Sequence, residues 1–188
     1  MSRERGHTPQ SKAFLQQLKV NDPIQEEDYI AAVRGAIKDR AKVIYFILKA
    51  LEKMHPEIDA KAVITQGIRD FGLYQSKTGW KNVTNAKEAM IAMSSKPAII
   101  ALDQDYYELQ ENHAKKVVHD CALIEAYKEM GLSKEEIREL CQEVLMCVEY
   151  AIFDDHKDAF AYSLPTMLTN EGQEELGCTY EFTAPKTK

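Results

Sequence analysis

Four cysteines, at positions 121, 141, 147 and 178, and the acidic and imidazole groups spaced around them are the side chains of this sequence best suited to chemistry. Cys121 stands where an apolar-periodic run begins, Cys121 to Met130 closed by Gly131, so the spacing predicts a helix with the thiol at its start. Unsatisfied N–H groups and the macrodipole favour a thiolate there. His119, two residues upstream, is close enough to assist, and Glu125, one turn downstream, shares the helix face. A cysteine nucleophile with a base beside it is the usual arrangement for covalent C–N cleavage. The bland alternatives are a small core residue for Cys121 and a surface partner of Lys128 for Glu125.

Cys141 and Glu149 lie eight residues apart near one apolar stripe, where a carboxylate needs a partner or a raised pKa. If the helix ends near Tyr150, Glu149 sits instead in an exposed last turn. Cys147 reads as structural. Cys178 alternates with Tyr180 and Phe182, which puts all three on one sheet face. His113 and His119 share a face if one strand runs through both, but two histidines and a cysteine are a weak metal signal, and neither metal nor cofactor is expected. Asp154 to Asp158 (DDHKD) reads as a solvated loop. There is no GxGxxG, GxxxxGK[ST], HExxH or GxSxG, so the readiest nucleotide, zinc-protease and serine-hydrolase readings fall away.

The elements that must position these groups are mostly helical. Apolar residues recur at helical spacing from Gln25 to His55, where Pro56 stops the helix, and Asp59 caps another that should end near Gly72. Asn85 with Glu88 and Ser133 with Glu136 have capping-box spacing. After Pro97 the pattern changes. Ala98–Leu102, a turn at Asp103–Asp105 and Tyr106–Leu109 predict a hairpin that extends toward Val118, and the stretch from Tyr162 onward reads as strand again. The expectation is an α+β fold, several helices packed on a small antiparallel sheet. Residues 1–24 form a tail with a short helix, and 25–188 a single domain.

Composition narrows the function. Of 188 residues, 45% are hydrophobic and 29% charged, a globular mixture. A net charge of −6 without a basic patch argues against nucleic acid as a partner. The most apolar stretch, Val43 to Leu51, is far short of the roughly 20 residues that span a bilayer, and the N-terminus lacks a signal-peptide core. The expected setting is the cytoplasm with reduced thiols, the expected partner a small-molecule substrate, and a homo-oligomer is left open.

The order Cys121-Ala-Leu-Ile-Glu125-Ala-Tyr-Lys-Glu-Met-Gly131, then Cys141, Glu149 and Gly177-Cys178-Thr-Tyr-Glu-Phe182, resembles the L-2-amino-thiazoline-4-carboxylic acid hydrolase family. Ile64 to Gly79 also looks like that family's glycine-paired helix. Ala122 stands where the family commonly has proline, and Glu149 where it has aspartate. The resemblance implies a hydrolase that opens a C–N bond of a small cyclic amidine or amide, giving a carbamoyl amino acid. It implies Cys121 or Cys178 as nucleophile, His119, Glu125 and Glu149 as acid–base or orienting groups, and Cys141 and His113 as substrate contacts. It implies a fold similar to the 4-vinyl reductase-like domain, which elsewhere binds ligands without catalysis. A non-catalytic sensory module on the same fold, binding a small molecule or a metal cofactor, is therefore the alternative.

Overall fold

A computed structural model describes residues 26–168 and 177–185. The helix expected at 11–20 lies outside them, as does the Glu/Gly-rich turn expected at 171–177 except for Gly177, which opens the last strand. The first helix, α1, runs Glu26–Met54, with three acidic residues in its first turn where the helix dipole favours them. Packing divides the chain inside this helix, at Ala32/Val33, and the unit Val33–Lys188 holds all the remaining elements.

Helix α2 spans Ala60–Gly79, its first turn capped by Asp59, whose carboxylate accepts from the Ala62 N–H at 2.9 Å. It runs straight through Gly72, where the sequence predicts an end. Gly72 serves packing instead, because a Cβ there would strike the Val148 carbonyl and come within 2.9 Å of the Ala151 Cβ. Asn85 caps α3 (Ala86–Met93), but Glu88 reaches back to the Thr84 N–H and hydroxyl rather than to Asn85 itself.

The predicted hairpin exists with different limits. Residues Lys96–Ala101 form a short helix, α4, opened by Ser95 with Pro97 in its first turn, where a missing N–H costs nothing. Strand β1 (Leu102–Gln110) passes through Asp103–Asp105, and the turn falls at Glu111–Asn112 before β2 (His113–Cys121). Helix α5 (Ala122–Glu129) starts at once and ends on Gly131, whose φ of +77° suits glycine. The Ser133–Glu136 capping box forms in full and opens α6 (Lys134–Glu139). One wide-turned helical segment, Leu140–Leu145, leads into α7 (Cys147–Asp155). Strands β3 (Ala161–Leu168) and β4 (Gly177–Thr183) complete a four-stranded antiparallel sheet in the order β1-β2-β4-β3.

The inner sheet face meets two hydrophobic clusters. One joins Val118 and Cys178 to α1, α5 and the Leu140–Leu145 segment; the other joins Ala114 and Phe182 to Trp80, Met90, Phe153 and Phe160. Tyr180 packs against both. The functional groups gather at this seam. The acidic stretch at 154–158 is a largely exposed turn from His156 on, as the loop reading has it, and helix only at its first two residues. Asp154 and Asp155 end α7, buried Ser76 hydrogen-bonds Asp155 and lies 3.0 Å from the His156 ring, and that ring packs 5.9 Å from Trp80.

Candidate active site

The inner face is built in cross-strand rows. Tyr106, Lys116 and Tyr180 stand opposite one another across β1, β2 and β4, and the next row is Gln104, Val118 and Cys178. Strict alternation would then turn Cys121 away with His119. It does not, because pairing steps from Asp103↔Asp120 to Gln104↔Val118 and leaves His119 as an extra residue. This β-bulge re-aims the end of the strand, so Cys121 joins Lys116 and Val118 on the inner side while His119 stays turned away from it. Sequence period alone has no means of placing that extra residue.

Two lobes of one depression meet at this place. The smaller, about 100 Å³, reaches between α1, α2 and α7 to Cys141; the larger, about 290 Å³, reaches Lys116, Val118 and the start of α4. Arg40, Cys121, Leu123, Glu149, Cys178 and Tyr180 border both. The structure thus brings together four sequence-predicted residues, Cys121, Cys141, Cys178 and Glu149, from four separate segments.

Three other candidates are placed elsewhere. Glu125 faces α1, paired with Arg34 at 2.6 Å and Lys38 at 2.5 Å, and the Lys38 hydrogen bond is the main cause of its lowered pKa. Cys121 is the extended last residue of β2 and only the N-cap of α5, so the one-turn rule does not put it on a common face with Glu125: Cys121 faces the sheet seam while Glu125 faces α1. His119 lies 3.1 Å from Asp105 and His113 lies 2.8 Å from Glu181, and neither lines the lobes. Cys147 donates to the Glu143 carbonyl in the preceding Leu140–Leu145 segment.

Electrostatics sharpen the picture. Burial pushes the Cys121 thiol up, although the Ile124 and Leu123 N–H groups pull the other way, so desolvation outweighs the helix N-terminus expected to favour a thiolate. Burial likewise raises Cys141, and pushes Cys178 to about 12, with Cys121 and Glu149 adding to both. Glu149 is pushed by burial to about 7, partly offset by its own backbone N–H, Arg40 and Lys116. Its Oε2 is buried with no hydrogen-bond partner. Such a carboxylate is poised to exchange a proton at neutral pH.

Sequence reasoning missed Lys116 and Arg40. Lys116 had a signal in the alternation Ala114, Lys116, Val118; Arg40 had none, being one of several cations on α1. Among the described residues, no group of three or more His, Cys, Asp or Glu is arranged to hold a metal ion. No described helix is long and apolar enough to cross a membrane.

An α+β domain whose sheet seam gathers three protonated thiols and one neutral-range carboxylate has the makings of a small-molecule enzyme site. Residues 36–155 match the family model of L-2-amino-thiazoline-4-carboxylic acid hydrolase, and the chain belongs to that family, which makes it a hydrolase of C–N bonds. The matched span includes Cys121, Cys141 and Glu149, while Cys178 lies beyond it. No curated protein and no solved structure matches the chain.

Proposed function

We propose that this pocket hydrolyses a small cyclic amidine of the 2-aminothiazoline-4-carboxylate type to a carbamoyl amino acid. The observation that carries the reading is the Glu149 Oε2, buried with no hydrogen-bond partner, on a residue that borders both lobes beside Cys121 and Cys178. Glu149 takes a proton, either from the water that adds to the amidine carbon or from the thiol that attacks it first. The three raised thiols support a base-dependent attack, since none carries much thiolate by itself at neutral pH. The tetrahedral carbon then collapses, a ring bond at that carbon breaks, and Glu149 returns its proton to the leaving atom; where the thiol attacks first, the opened product stays bound to its sulfur until water, deprotonated by Glu149, adds to the same carbon and expels the thiol with that proton. Addition of one water accounts for every atom of the product.

Incubating the purified protein with 2-aminothiazoline-4-carboxylate and following mass tests this directly. The expected result is a product heavier by one water, with a free thiol appearing only if the ring C–S bond is the one that yields. No turnover of that compound, of hydantoins or of other cyclic amidines would overturn the reading.

A further inference from the structure

Lys116 occupies an unusual position for a cation. It is 1% exposed, on the inner face of the central strand β2, with its Nζ 5.9 Å from the Tyr106 ring centre and 5.4 Å from that of Tyr180. Those rings offer their negative faces but no formal charge. Among the described residues it forms no ion pair, and Glu149, which lines the same larger lobe, acts on it only through space. A buried ammonium without a counter-ion costs several kcal/mol, and an apolar side chain of its length would pack in its place at no such cost. It lines the lobe that Cys121, Cys178 and Glu149 also line, so an anion entering that lobe would complete it.

We infer that Lys116 is a specificity-determining residue that receives the carboxylate of the ligand in the larger lobe. The inference deepens the proposed function and rests on it for the amidine half of the ligand. The lobe is bipolar: an ammonium on β2 and a carboxylate on α7 face one space of about 290 Å³, the size of a single small ring with substituents. A ligand with its anion against Lys116 turns its opposite, amidine end toward Glu149 and the thiols. Uncharged rings, or cationic rings lacking a carboxylate, leave Lys116 unpaired and bind less well.

The test compares three probes on the full chain and on Lys116→Met: 2-aminothiazoline-4-carboxylate, 2-amino-2-thiazoline, and thiazolidine-4-carboxylate, each titrated by calorimetry. The wild type is expected to bind the first at least about tenfold tighter than the second, the gain of one charge-assisted contact. The ratio should fall to about one in Lys116→Met, and Lys116→Gln gives the same reading if the methionine variant fails to fold. A ratio unchanged by the substitution, or no carboxylate preference in the wild type, overturns the inference. The two readings part cleanly. Lys116-dependent binding of thiazolidine-4-carboxylate without amidine turnover keeps the anchor and defeats the hydrolysis. Equal turnover of both amidines in wild type and variant does the reverse.

Discussion

Gly72 of α2 lies so close to the carbonyl of Val148 on α7 that no side chain fits between them. The residue after Val148 is Glu149, so this contact of two helix backbones fixes where the pocket carboxylate stands. Gly72→Val should cost about 1–3 kcal/mol through overpacking. Denaturant unfolding measures it, and a fall in turnover larger than the stability loss explains would show Glu149 displaced. A variant as stable and active as wild type would contradict this role.

Glu149 also stores a stability difference. Its folded pKa of about 7 stands above its ordinary 4.5, so the native state holds the proton longer than the unfolded one. Its influence is therefore most favourable below about pH 4.5, and stability is lost as pH rises toward 7, by about 3 kcal/mol in all. Glu149→Gln removes that slope. Unfolding curves at pH 5 and pH 8 should converge for the variant relative to wild type.

The pocket thiols are expected to be sluggish. With Cys178 at about 12 instead of 9, its thiolate fraction at pH 7 is lower by roughly a thousandfold than that of an unperturbed thiol. Iodoacetamide labelling with mass-spectrometric readout should leave Cys121, Cys141 and Cys178 largely unmodified in the folded protein, and rapid selective labelling of one would show that a base already activates it.

Glu125→Gln tests the surface assignment. The carboxylate ties α5 to Arg34 and Lys38 of α1 at a partly exposed site, where such pairs contribute about 0–1 kcal/mol. Turnover is expected to stay within about twofold of wild type, and a hundredfold loss would return Glu125 to the chemistry.

The features legible in the sequence were local. The Asp59 cap, the Ser133–Glu136 box and the helix that starts after Cys121 arise from neighbours a few residues apart, and the structure forms each of them. The ordered cysteines and Glu149 also pointed to the right family. The features that escaped it depended on partners distant in the chain. Gly72 reads as a helix end until α7 is laid against it. Asp103–Asp105 reads as a turn until β2 pairs with it. The bulge at His119, which turns Cys121 back to the inner face, exists only in the pairing of two strands. Lys115 and Lys116 are identical neighbours in sequence, and only the sheet decides which one is buried.

The pH dependence of kcat/KM for 2-aminothiazoline-4-carboxylate, measured on wild type and Glu149→Gln from pH 5 to 9, tests the central claim most directly. Glu149 acts as base in its ionised form, so wild-type activity should rise through about pH 7 as the carboxyl gives up its proton. Glu149→Gln should lose about 10²-fold or more and lose that rising limb with it. A variant that keeps wild-type rates and the same limb would contradict the account.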